Sequence, residues 1–275
     1  MSAPRSKAAA GPAGAATTSR LGRAFAQAKA EGRTALICYL MGGDPDMARS
    51  EALLLALDEA GADVIEVGIP FSDPIADGPT LQAAAMRALS AGASVKALLA
   101  SVGKLRGRVR APLVAMGYMN PIEAMGADRF AKATAEAGFS GCIVPDLPLE
   151  ESGPLRDSLV AQGIELIPLV APTTGADRLR AIARSARGFI YTVTVTGVTG
   201  ARAELPPDLA ERLRELRALS PVPVAAGFGI SRPEQAAALK GLADGVVVGS
   251  ALVAAHHEGG VAAAAALVRE LRAVL

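Results

Sequence analysis

The 275 residues include no tryptophan, two histidines, two cysteines and six lysines, and each scarcity removes a class of chemistry. Without clusters of His or Cys there is no ligand set for a zinc or iron centre. His256 and His257 sit side by side in a C-terminal helical region, where a packing or solvated role is favoured. Cys38 and Cys142 each lie inside an apolar run and read as small buried hydrophobes of a protein kept in a reducing cytosol. Lys7, Lys29, Lys96, Lys104, Lys132 and Lys240 all fall in the N-terminal tail or in helical stretches, which leaves no candidate for a Schiff-base nucleophile. Charge of either sign is missing as a net quantity: 28 Lys plus Arg against 27 Asp plus Glu give no field to attract nucleic acid or an acidic membrane. Neither a P-loop nor a dinucleotide fingerprint occurs, so no nucleotide cofactor is indicated. No apolar run is expected to be long enough to span a bilayer, because the hydropathy comes mainly from scattered alanine.

What the chain does have is hydrophobic content, 51% of its residues, and a regular alternation of short apolar runs with longer helical ones. Residues 1–19 stand apart: they are rich in Ala, Ser, Gly and Pro, carry Arg5 and Lys7, and contain no acid. That composition permits a transit peptide and favours a disordered tail. A short helix is expected from Leu21. Strand-like runs follow near 35–40, 64–67, 113–116, 142–144, 166–170, 189–195, 222–226 and 246–248. Helical patterns separate them at 47–60, 81–105, 129–137, 155–162, 178–185, 209–219 and 233–240, with a closing pair from 251. Eight β-α units predict a (β/α)8 TIM barrel over residues 20–275, with an additional N-terminal helix, as one domain. A doubly wound open sheet is the structural alternative.

In a barrel the loops at the carboxyl ends of the strands carry the chemistry. Glu66 interrupts the apolar run of strand two, where an ionised carboxylate is costly unless paired or used. Asp77 lies eleven residues on, in a loop stiffened by Pro70, Pro74 and Pro79 that aims it back over the strand. Two converging acids suggest proton transfer, with Tyr39 and Tyr191 as helpers. The plainer alternatives are an arginine pair for Glu66 and a helix cap for Asp77. Asp146, in VPDLPLEES, is a rival acid with a structural or interface role equally open, and Asp44, in MGGDP, reads best as a cap for the next helix. The segment 196–207 is long and rich in small residues, as a mobile lid would be. Glycines after strands seven and eight, Gly227, Gly229 and Gly249, followed by a helix opening at Ser250, suit a phosphate held by backbone N–H groups.

Taken in order, YLMGGDP, IEVGIPFSDPIADGPTLQ, GYMNPI, VPDLPLEES, VTGVTG and AGFGIS resemble the motifs of the tryptophan synthase alpha chain from about Arg20 to the C-terminus. The Glu66 and Asp77 pair with PFSDP between them is the most specific part; GFGIS and GS recur in many phosphate-binding barrels. The resemblance implies a cofactor-free lyase that cleaves indole-3-glycerol phosphate to indole and glyceraldehyde 3-phosphate. It implies Glu66 as general acid and base and Asp77 as partner of the indole N–H. Tyr39, Met116, Tyr191 and Phe228 would line the indole pocket. Gly200, Gly229, Gly249 and Ser250 would hold the phosphate, and Thr199 would orient Asp77. It also implies a beta-chain partner that carries pyridoxal phosphate, in an alpha2-beta2 heterotetramer of the cytoplasm, with Asp73, Pro74, Asn120 and Pro121 on the interface side. Two other phosphate-binding barrels fit less well: indole-3-glycerol phosphate synthase needs a strand-end lysine, and ribulose-phosphate epimerase needs metal-binding histidines. A stand-alone indole-releasing lyase and a non-catalytic activator of a partner enzyme remain as alternatives.

Overall fold

The computed structural model describes residues 19–193, 209–227 and 229–275. The expected tail lies outside the described residues except for Ser19, whose hydroxyl accepts a hydrogen bond from the Gly22 N–H at 3.0 Å and so caps α1(Arg20–Ala30). Parallel strands follow as β1(Ala35–Met41), β2(Val64–Gly68), β3(Leu113–Met116), β4(Phe139–Ile143), β5(Glu165–Leu166), β6(Leu169–Val170), β7(Ile190–Val193), β8(Val224–Gly227) and β9(Gly245–Val248). They pair in the order β5-β4-β3-β2-β1-β9-β8-β7-β6.

The two ends of that order are one stave. Pro168 has no N–H to donate and splits the expected strand 166–170 into β5 and β6. The ladder continues across the split: Ile167 N–H donates to the Cys142 carbonyl on the β4 side at 2.8 Å, and the Pro168 carbonyl accepts from Tyr191 N–H on the β7 side at 3.0 Å. The sheet therefore closes into an eight-stave barrel, and the open-sheet alternative is excluded.

Alternation along the strands divides the core. Leu36, Cys38 and Leu40 of β1 face the helices, together with Ile65 and Val67 of β2. Ile37, Val64, Val114, Ile143, Ile167, Ala225 and Val247 point inward and form a floor with Leu21, Phe25 and Ala28 of α1. The rings of Phe25 and Phe189 lie 5.3 Å apart, so α1 plugs the amino end of the barrel. Inward residues recur every second position. Two residues past that floor, therefore, come Tyr39, Glu66, Met116, Tyr191, Gly227 and Gly249, which form the next layer up.

The helices depart from expectation at three places. The expected helix 81–105 is two, α2(Met47–Ala60) being followed by α3(Pro79–Ser90) and α4(Val95–Lys104). Gly92 has φ +86°, a conformation that ends a right-handed helix, and the Ser94 hydroxyl caps the next one through Ala97 N–H. A short helix, α5(Met119–Met125), lies in the loop after β3 and precedes α6(Ala127–Glu136). The remaining described helices are α7(Gly153–Ala161), α8(Ala176–Ser185), α9(Leu209–Leu219), α10(Pro233–Ala237) and α11(Ser250–Val274). The last corrects the expectation about apolar runs: it is 25 residues long and contains an 18-residue stretch of mean hydropathy 1.3, which meets the length and composition of a membrane span. It is broken at Gly260 (φ 70°) and turns Leu252, Val253, Ala264, Val268 and Leu271 into the core over β1 and α2, as a barrel helix does.

Asp44 does not cap α2. Asp46 does, accepting from Arg49 N–H at 2.9 Å, while Asp44, almost fully buried, receives two 2.8 Å hydrogen bonds from the Arg87 guanidinium of α3. Arg87→Ala would leave that carboxylate buried without its cation. A loss of about 3 kcal/mol in urea-unfolding stability is expected.

Candidate active site

The second inward layer opens at the carboxyl ends of the strands into a cavity of about 1230 Å³. Its walls include Tyr39, Glu66, Asp77, Met116, Tyr191, Gly229, Gly249 and Ser250, so eight of the eleven residues singled out in the sequence come together in one place. Thr199, Gly200 and Phe228 lie outside the described residues, as does the expected lid 196–207.

Glu66 stands on β2 beside Tyr39 of β1 and Val114 of β3 in the strand register. It is 1% exposed, and neither carboxyl oxygen has a hydrogen-bond partner among the described residues. The arginine pair considered for it is therefore absent among them. Burial, with the negative charge of Asp77 nearby, pushes its carboxyl up to about 8. A carboxyl so placed holds its proton at neutral pH. Asp77 is only partly buried; burial raises it to about 6, and a hydrogen bond from Tyr118 pulls it in the opposite direction. The two acids thus differ in protonation near pH 7, Glu66 as the acid and Asp77 as the anion. The loop that carries Asp77 leads into α3 with Gly78 as N-cap residue and Pro79 in its first turn, and the Gln82 amide donates to the Asp77 carbonyl at 2.9 Å. The Asp77 side chain is not the helix cap.

Tyr39 and Tyr191 lie over glycines. A Cβ at Gly68 would collide with the Tyr39 hydroxyl, and one at Gly227 would come within 2.7 Å of the Tyr191 hydroxyl. Glycine at these two strand ends gives the rings their place across the barrel mouth. Burial raises both phenols well above their usual range, with Glu66 and Asp77 adding to it, so both remain neutral donors or acceptors. Beside Tyr39, at the end of the neighbouring strand β9, Gly249 is the N-cap residue of α11, where no side chain caps the helix. Gly249 and Ser250, at the amino end of α11, line the cavity, and Gly229 (φ +66°) lines it from the neighbouring turn.

Asp146 lines the same cavity but is engaged: its carboxylate accepts from Met119 N–H at 3.0 and 3.2 Å and caps α5. This is the structural role left open for it. His256 is buried against the core and His257 is exposed. Asn120 and Pro121 lie in α5, and Asp73 and Pro74 in the loop after β2; the two segments meet where Ala76 N–H donates to the Tyr118 hydroxyl at 3.1 Å. Tyr118 was not singled out in the sequence. Its signal was available: the chain has three tyrosines, and the other two were recognised at strand ends.

The sequence profile of the Tryptophan synthase alpha chain family matches residues 25–273. The chain belongs to the tryptophan synthase alpha chain family. Among curated relatives, the alpha chain of Carboxydothermus hydrogenoformans is 51% identical over 235 residues, covering 86% of this chain and 88% of that one. The alpha chain of Gluconacetobacter diazotrophicus is 53% identical over 237 residues, with 86% of each chain covered. Among solved structures, a Mycobacterium tuberculosis tryptophan synthase superposes with a TM-score of 0.87 at 42% identity, over 93% of this chain and 97% of that chain. Tryptophan synthase subunit alpha of Legionella pneumophila gives 0.86 at 36% identity, over 94% and 98%. Tryptophan synthase alpha chains are lyases of tryptophan biosynthesis, and the barrel closed here through the split fifth stave is the fold of these relatives.

Proposed function

We propose that this chain cleaves indole-3-glycerol phosphate to indole and glyceraldehyde 3-phosphate by a retro-aldol reaction. The observation that carries the reading is Glu66, buried with neither carboxyl oxygen hydrogen-bonded among the described residues, facing the same cavity as Asp77. Glu66 gives its proton to indole carbon 3, and positive charge develops on the ring nitrogen, whose N–H donates to Asp77. The side-chain hydroxyl then returns a proton to Glu66 as the carbon–carbon bond to the ring breaks. The bonding electrons go back to the ring, the nitrogen becomes neutral, and an aldehyde leaves. Protons balance, and Glu66 ends as it began.

Tyr39, Met116 and Tyr191, with Phe228, hold the indole; the N–H groups at Gly229, Gly249 and Ser250, with Gly200, hold the phosphate; Thr199 steadies Asp77. The chemistry needs no cofactor in this chain. Pyridoxal phosphate belongs to a beta-chain partner that receives the indole, in a cytoplasmic alpha2-beta2 heterotetramer whose contact side includes Asp73, Pro74, Asn120 and Pro121. Indole release by the purified chain, with and without a tryptophan synthase beta chain, tests the proposal. Slow release that rises sharply with the beta chain is expected. Fast release by the chain alone would make it an independent lyase, and no release under either condition would leave it a non-catalytic activating subunit.

A further inference from the structure

We infer that the groove between α7 and α8, on the outer face of the fifth stave, is a second binding site, for a small aromatic molecule that carries one anionic group. The groove lies on the far side of the stave from the two acids, and the inference does not depend on the reaction proposed for them. Both faces of a parallel barrel strand are ordinarily covered, the inner one by the core and the outer one by helices. The fifth stave departs from this. Ile167 and Leu169 belong to the inner face, and Leu166 and Val170 to the face under the helices. All four line the one cavity, which therefore reaches both sides of the stave. Leu166 and Pro168 are only partly buried, whereas the outward residues of β1 and β2, Leu36, Cys38, Ile65 and Val67, are fully buried.

The opening comes from the helix layer. α7 packs on α6 and α8 on α9, and the cavity runs between the two pairs. Its walls there include Ile182 of α8 and Val160 in the last turn of α7, an apolar side chain on a residue that is 56% exposed. Near the mouth the Arg178 guanidinium donates to the Glu150 carboxylate at 2.8 and 2.9 Å, and Arg156 donates to Asp157 at 3.1 and 2.9 Å. At the other end the cations are not matched in this way. Arg184, in the last turn of α8, has no hydrogen-bond or ion-pair partner among the described residues, and Arg187 donates to a neutral acceptor, the Ala186 carbonyl, at 3.0 Å. The helix dipole alone would account for a cation at the end of α8. It does not account for an exposed valine and a partly open apolar strand beside that cation. Together these features fit a ligand whose rings lie over Val160, Leu166 and Ile182 and whose anionic group meets Arg184 and Arg187. The volume agrees, since small-molecule sites reach roughly 1,000 Å³ and this cavity, at about 1230 Å³, exceeds one such site. Residues 1–18 of the chain carry Arg5 and Lys7 and no acid, so like charge disfavours them as the occupant.

The probe is 8-anilinonaphthalene-1-sulfonate, aromatic rings with a single sulfonate, titrated by fluorescence into the full-length chain. Its uncharged analogue, N-phenyl-1-naphthylamine, is the comparison. Saturable binding of the sulfonate, tighter than that of the analogue, is expected. Val160→Glu puts a like charge on the apolar wall and should weaken the sulfonate by about ten-fold or more. Arg184→Ala should weaken the sulfonate by about ten-fold and leave the analogue within about two-fold of its wild-type affinity. Both positions are exposed, so both variants should keep the melting temperature of the wild type. Absence of saturable binding to the wild type would overturn the inference. So would wild-type affinity in Val160→Glu, the result expected of a probe held in the catalytic mouth. Equal losses for the two probes in Arg184→Ala would also overturn it, because the arginines would then not be reading the anion.

Discussion

Glu66→Gln is expected to reduce indole release from indole-3-glycerol phosphate by at least two, and up to about four, orders of magnitude, the range that a positioned general acid and base contributes. The substitution preserves shape and removes only the transferable proton. Because neither oxygen of Glu66 has a partner among the described residues, no structural hydrogen bond is lost there with the carboxyl. The variant should therefore fold, bind the substrate with a KM near that of the wild type, and unfold at the same temperature or higher. Steady-state kinetics beside a thermal melt check both halves. Turnover within a few-fold of wild type would remove Glu66 from the reaction, and a collapse of the melt would show that it has a structural partner after all.

The second large effect is on pH. The proposed mechanism needs Glu66 protonated and Asp77 ionised, and their positions at about 8 and about 6 predict a bell-shaped kcat/KM with its maximum between them. Stability follows a different curve. Both carboxyls are raised above their unfolded values, so the folded state binds their protons more tightly than the unfolded chain does. Their contribution is fully present below the unfolded carboxylate range, near 4, and is lost as pH rises through about 6 for Asp77 and about 8 for Glu66. The melting temperature of the wild type should accordingly drop relative to that of Glu66→Gln across this window, with the gap widening from pH 5 to pH 9. A gap that stays constant across those values would mean that Glu66 does not titrate there.

The parts of this site that were legible in the sequence are those where local chemistry conflicts with its surroundings. A glutamate within VIEVG is an anomaly in any buried strand, and the prolines around Asp77 limit where its loop can go. The folded chain then sets these side chains in one layer, because Ile37 and Tyr39, Val64 and Glu66, and Val114 and Met116 are each two apart and share the inward face. Contacts between distant segments left no such trace. Asp44 meets Arg87 forty-three residues away, and Tyr118 meets Ala76 forty-two residues away. Nothing local to MGGDP distinguishes a carboxylate that caps a helix from one that binds an arginine, and Asp46 was the better-placed cap. The break between α3 and α4 had its signals in Gly92 and Ser94, which an alanine-rich flank obscured. The split stave had its signal in Pro168, whereas the kink at Gly260 agrees with the closing pair of helices expected from 251. At Gly92 and at Pro168 one residue with a special backbone requirement outweighed a long favourable pattern.

The central claim is that Glu66 carries a proton at neutral pH while Asp77 does not. A carboxyl-carbon NMR titration of the glutamate-labelled chain tests it directly, with Glu66→Gln to assign the signal. One glutamate resonance titrating near 8, and missing from the variant, is the predicted result. A Glu66 signal that titrates below about 5, in the ordinary glutamate range, would contradict it.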